Sequence, residues 1–337
     1  MSGEGPMAGG ALRQRAVRCL AGALALGLSS ACARGPAAPV ERPAPRPEPP
    51  PAVAKAAPWV DVPIERLPSG HLAVAVRTGK GQELRFLLDT GASVTVVTPK
   101  TRELLGIGGS EGTRARAKAA GGNAGAVRLV ELPRLSLGGR PLEDVTAAVM
   151  HLDHLNEPLG AEPAGVLGQN VFAAYVVEFD LAAGRLRLYE RDAAPAWDEP
   201  ARLVPLGRTG LFAVEARIDP GAVDVLAVVD LGAGRTVVNH PAAEAAGIDP
   251  RALGQRESIH GASQGEIEAA VHTFERLSVG GVVVERPRLL VAQLPVFRPL
   301  GLARRPAVIL GFDQLDGRIV GLDIEGRRFH LGPAKAR

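Results

Sequence analysis

Two aspartates, Asp89 and Asp230, have the surroundings that could do chemistry. Each follows an apolar run and opens a glycine-bearing turn. The first stretch reads Phe86-Leu87-Leu88-Asp89-Thr90-Gly91-Ala92-Ser93-Val94-Thr95-Val96-Val97. The second reads Asp230-Leu231-Gly232-Ala233-Gly234-Arg235-Thr236-Val237-Val238. A carboxylate at the end of an apolar strand is costly to bury unless donors satisfy it. The hydroxyls of Thr90 and Ser93, and the amides of the turn through Gly91, are groups able to do so. On its own, Asp-Thr-Gly is also an ordinary turn, with Asp and Gly present for backbone reasons.

The two stretches belong to a longer repeat. They stand 141 residues apart, as do Gly106-Ile107 and Gly247-Ile248. Leu135-Ser136-Leu137-Gly138-Gly139 is answered by Leu277-Ser278-Val279-Gly280-Gly281 at an offset of 142. Val166-Leu167-Gly168 is answered by Ile309-Leu310-Gly311, and Asp180 by Asp323, at 143. An offset that drifts so little along a whole segment points to two copies of one β-rich lobe. The join falls near residues 191–201.

The elements follow the same order in each copy. Alternation over 71–76 reads as a strand, and Thr78-Gly79-Lys80-Gly81 as a turn. Thr98-Pro99 reads as an N-cap with proline at the first helical position, and the helix stops at Gly106. Strands are expected at 127–132, 135–137 and 145–150, then a closing hairpin over 175–181 and 185–188. The glycine-rich stretches around Gly121, Gly122 and Gly125, and around Gly261 and Gly265, read as hairpin tips.

The run apolar-apolar-Asp-Thr-Gly-Ala-Ser resembles the active-site loop of aspartic peptidases, particularly the retropepsin-like branch. With the repeat, the resemblance extends over almost all of residues 60–335. It implies a mostly β protein of two homologous, closed barrel-like lobes related by a pseudo-twofold axis, lobe 1 at 59–195 and lobe 2 at 196–337. It implies that Asp89 and Asp230 meet between the lobes, share a proton and activate a water against a peptide bond. Thr90, Gly91, Ser93, Leu231 and Gly232 would shape the two turns. Val166-Leu167-Gly168 and Ile309-Leu310-Gly311 would pack behind them, and the glycine-rich hairpins would serve as flaps over an extended peptide or protein substrate. No cofactor and no metal are implied.

The sequence departs from the family at Leu231, where a Thr or Ser hydroxyl normally reaches across to the opposing backbone. It departs again at Gly234, which stands where lobe 1 has Ser93, and in having no tyrosine in either expected flap. With more hydroxyls near it, Asp89 is expected to be the ionised member and Asp230 the protonated one. Three alternatives stand beside the endopeptidase: a non-catalytic peptide-binding protein with a degenerate second lobe, a homodimer in which lobe 1 alone acts, and a periplasmic structural lipoprotein whose Asp-Thr-Gly is an inherited turn.

Other motifs are weaker. Gly261-Ala262-Ser263-Gln264-Gly265 fits G-x-S-x-G, but it aligns with the lobe 1 hairpin tip. His151 and His154 are close enough in sequence to share a metal, yet Asp153 lies between them and no cysteine pair accompanies them.

The composition suits a globular chain with an aliphatic core, 46% hydrophobic and 4% aromatic. The formal charge of +3 is uneven, because residues 1–58 carry +4 and the remainder −1. A near-neutral globular part removes the electrostatic case for nucleic-acid binding. Arg13, Arg15 and Arg18 precede an apolar segment over 19–28, so residues 1–31 read as an export signal. Ser29-Ser30-Ala31-Cys32 resembles the end of a bacterial lipoprotein signal, with Cys32 the lipidated residue. This implies an exported, periplasmic protein held at the outer membrane by its lipid alone. Residues 36–58 hold nine prolines and read, within 32–58, as a semi-rigid tether. The expected state is a monomer with two lobes.

Overall fold

Asp89 is delivered by a hairpin whose chemistry is legible residue by residue. Strands Leu72–Thr78 and Glu83–Leu88 pair antiparallel, with Ala73 opposite Leu87. Their turn is closed by Gly81 N–H donating to the Thr78 carbonyl at 2.8 Å. Phe86 and Leu88 face the core, so the second strand buries its end and Asp89 follows directly. These are features of a computed structural model that describes residues 57–108, 112–119, 122–155, 159–160, 162–260 and 266–334. The expected signal segment, Cys32, the tether apart from Ala57 and Pro58, and the glycines Gly121, Gly261 and Gly265 lie outside the described residues.

The protein is mostly β, built as two sheets. In the first half, Gly165–Leu167 lies parallel to Glu83–Leu88 and antiparallel to Thr95–Val97. Thr146–Val149 then lies parallel to Thr95–Val97, and the hairpin Thr113–Ala119/Gly122–Glu131 forms the edge. The second half repeats each step. Ala307–Leu310 lies parallel to Val223–Val229 and antiparallel to Val237–Val238. Arg288–Val291 lies parallel to Val237–Val238, and the hairpin Arg256–His260/Glu266–Thr273 forms the edge.

The repeat extends to caps and dihedrals. Thr98 caps helix Pro99–Leu104 by accepting from Thr101 N–H, and Asn239 caps helix His240–Ala245 by accepting from Ala242 N–H. Gly106 and Gly247 end these helices at the same φ of +76°. Even two non-glycine residues in the left-handed region correspond, Asp144 at φ +54° and Arg286 at φ +50°.

Both halves contribute to a shared sheet. Its strands run Trp59–Pro63, Arg185–Tyr189, Val176–Asp180, Ile319–Asp323, Arg328–Leu331, Ala201–Pro205. The halves join where Val176–Asp180 pairs with Ile319–Asp323, with Val177 opposite Leu322 and Phe179 opposite Val320. At the repeat offset this pairing is self-complementary, which is what a pseudo-twofold axis requires. The axis passes through Glu178 and Gly321, each opposite its own equivalent. There the symmetry breaks. A Cβ on Gly321 would lie 2.5 Å from the Trp197 ring, and Trp197 Nε1 donates to Glu178 Oε1 at 2.9 Å. Tyr189 donates its hydroxyl to the other oxygen of Glu178 at 2.8 Å. One indole thus fills the space left by the glycine and satisfies the buried carboxylate beside it. His330 stacks on that indole at 5.6 Å.

Trp197→Phe removes the indole N–H together with part of the fused ring, leaving Glu178 short of a partner. We expect a loss of about 1–3 kcal/mol in urea unfolding. An unchanged midpoint would show that neither the N–H nor the lost part of the ring stabilises the fold.

Candidate active site

Parallel pairing sets the height of both aspartates. Asp89 N–H donates to the Leu167 carbonyl at 3.1 Å, and Asp230 N–H to the Leu310 carbonyl at 3.0 Å. Each chain then turns through its glycine. Gly91 N–H donates to Asp89 Oδ1 at 2.8 Å. Asp230 Oδ1 accepts from Gly232 N–H at 2.9 Å and Ala233 N–H at 3.0 Å. The apolar-apolar-Gly strands do pack behind the turns. A Cβ on Gly168 would lie 2.8 Å from the Ala92 carbonyl oxygen, and one on Gly311 would lie 2.5 Å from Arg235 backbone. Hydroxyls tie each strand end to the following short helix. Thr95 bonds Asn170 through both its amide and its hydroxyl at 2.9 Å, and Thr236 bonds Asp313 at 2.8 and 2.6 Å.

The two turns face each other closely. A Cβ on Gly91 would lie 2.5 Å from the Asp230 carboxyl, and a Cβ on Gly232 would lie 2.7 Å from that of Asp89. Each carboxyl therefore occupies the space that a side chain on the opposite glycine would need, and the two share a hydrogen bond. Both are partly buried, and both are pushed up from the ordinary carboxylate range. For Asp89 the causes are burial and then the charge of Asp230 beside it, and it lies well above the usual value. For Asp230 burial raises it, opposed by the amides of Ala233 and Gly232 and by its bond to Asp89. Two backbone amides oppose the rise at each carboxyl, those of Gly91 and Ala92 at Asp89 and those of Gly232 and Ala233 at Asp230, and no hydroxyl does so at either.

Thr90 reaches across as expected. Its hydroxyl donates to the Val229 carbonyl at 2.8 Å and accepts from Leu231 N–H at 3.0 Å. Leu231 returns no such bond; its side chain is 2% exposed and packs in the main apolar cluster.

Antiparallel strand pairs at the sheet edges flank both glycine-rich stretches. Gly122 and Gly125 belong to the stem of the first, opposite Ala119 and Ala117. The G-x-S-x-G run lies outside the described residues, but the pair His260–Glu266 that flanks it is antiparallel. That is a hairpin, whereas a nucleophile elbow needs a strand-to-helix turn. His151 is exposed, 3.7 Å from Asp153, and no group of three metal-ligating side chains occurs among the described residues.

Two residues escaped the sequence reading. Arg235 follows the second turn and bonds Glu257, on the stem of the second hairpin, at 2.5 Å; Arg288 holds the same carboxylate at 2.7 Å. The opposing charges were visible, but only the strand pairing brings positions 235 and 257 together. Gln169, buried behind the first turn, donates to the Thr90 carbonyl at 2.7 Å. Its sequence signal was its place directly after Gly168.

A family model for aspartyl proteases matches residues 74–171 and again residues 214–314. No curated protein matches the chain. Each matched stretch holds one aspartate turn and one apolar-apolar-Gly strand, and together they cover more than half of the sequence. The chain belongs to the aspartyl protease family.

Proposed function

We propose that this protein is an aspartic endopeptidase in which Asp89 and Asp230 form a single-chain dyad. The observation that carries the reading is the mutual packing of each carboxyl on the other turn's glycine. Like charges so close cannot both ionise, so the pair holds one proton between them. The ionised carboxyl of the pair is the base that takes a proton from water. The protonated one donates to the scissile carbonyl. An extended peptide lies between the halves beneath the two edge hairpins, held mainly through its backbone. The same geometry argues against a lobe 1 homodimer, because Asp230 already fills the second place in the site. The protein acts as a monomer, exported and held at the outer membrane through Cys32. The N-terminal pattern supports this location; no helix among the described residues is long and apolar enough to cross a membrane.

Purified protein incubated with a peptide library from acid to neutral pH tests the activity. Asp89→Asn and Asp230→Asn should each lower cleavage on the order of 10²–10⁴-fold. Survival of activity in Asp230→Asn alone would favour the homodimer. Absence of cleavage with retained peptide binding would favour the binding protein.

The raised carboxyl values also predict a stability signature. Both groups hold protons more tightly in the folded chain than in the unfolded one. Their stabilising contribution is complete below the unfolded value and is lost as pH rises through the folded value. Asp89→Asn removes the Asp89 share of that loss. Its Tm should exceed that of the wild type at neutral pH, and the gain should disappear near about pH 4. Equal Tm values at neutral pH would contradict the burial argument.

A further inference from the structure

We infer that Gln169 is a positioning residue for the carboxyl pair, acting through the peptide that joins Thr90 to Gly91. The inference rests on the peptidase reading above and goes beyond it. Gln169 is 5% exposed. Its backbone N–H donates to the Ala92 carbonyl at 2.8 Å, and its side-chain Nε2 donates to the Thr90 carbonyl at 2.7 Å. One residue thus brackets the first turn. A carbonyl can only accept, so the amide must face it with its NH₂. The carbonyl it holds belongs to the same peptide unit as Gly91 N–H, which donates to Asp89 Oδ1. The order is therefore Gln169 amide, Thr90 carbonyl, Gly91 N–H, Asp89 carboxyl. That peptide is planar, so fixing its carbonyl also aims its N–H. Bonds in such a chain polarise one another, and the one reaching Asp89 is strengthened.

Two further observations mark this as more than packing. Gln169 Oε1 is buried with no hydrogen-bond partner among the described residues. An unmet buried acceptor is unfavourable where an apolar residue of the same size would do. The matching position in the second half is indeed apolar. Phe312 repeats the backbone bond, donating to the Ala233 carbonyl at 2.7 Å, but its ring offers nothing to the Leu231 carbonyl. The extra clamp falls on the turn whose threonine reaches across to the opposite turn. Where Leu231 returns no grip, Gln169 steadies the grip that remains.

The test replaces the donor and keeps the volume. Gln169→Leu, or Gln169→Met should the first not fold, is compared with the wild type by carboxyl ¹³C titration and by peptide cleavage. Losing the clamp weakens the amide bond to the charged form of Asp89, so the upper apparent pKa of the pair should rise. The alkaline limb of the rate profile should move with it. We expect kcat to fall about tenfold, with KM changing less than about twofold. Gln169→Glu should restore kcat at acid pH, where its protonated carboxyl again offers a donor. Unmoved titration and kcat, with only Tm altered, would overturn the proposal, as would Glu behaving like Leu in acid. Titration needs no substrate, so the two readings separate. A shifted pair in a protein that cleaves nothing would sink the peptidase and leave the positioning role standing.

Discussion

The structure depends on two buried carboxyls that occupy each other's glycine. A methyl group on Gly91 or Gly232 would collide with the opposing aspartate, so both glycines are required by the partner turn more than by their own. Bringing two carboxyls together away from water is unfavourable twice over, through lost solvation and through like charge. The rest of the fold can be read as what holds that arrangement. Parallel strand pairs fix the height of each aspartate, the strands 165–167 and 307–310 close the space behind the turns, and the strand pairing between the halves keeps them in register. Removing any of these would let the carboxyls separate into solvent, where each relaxes to ordinary behaviour.

Much of this was legible because it is repetitive. Strands, caps and positive-φ turns recur at an offset of 141 to 143 residues, and a repeat that long leaves few architectures open. What stayed hidden lies where the copies differ. Glu178 and Gly321 correspond by offset, yet nothing in the sequence says that the axis passes between them or that Trp197 supplies what the glycine lacks. Gln169 and Phe312 correspond as well, and only the bond to the Thr90 carbonyl distinguishes a clamp from a filler. The hydroxyls near Asp89 were legible as candidate donors, but Thr90 directs its hydroxyl to the Val229 carbonyl and Leu231 N–H, and backbone amides support both carboxyls.

The missing hydroxyl at Leu231 bears on specificity of geometry more than on strength. A hydrogen bond across the interface contributes about 1 kcal/mol net. A leucine buried at the same place contributes about 2 kcal/mol through the water it excludes. The exchange therefore need not loosen the two halves. What it removes is direction, since an apolar contact tolerates sliding that a bond to a backbone carbonyl does not. All direction across this part of the interface then comes from Thr90, through one donated and one accepted bond. A symmetric dyad must break its own symmetry each time it acts, because one carboxyl has to be acid while the other is base. Here the scaffold has already broken it, with a clamped, gripping turn under Asp89 and an apolar one under Asp230. Unequal surroundings are how paired carboxyls come to hold separate roles, and a second threonine at 231 would make the two turns more alike.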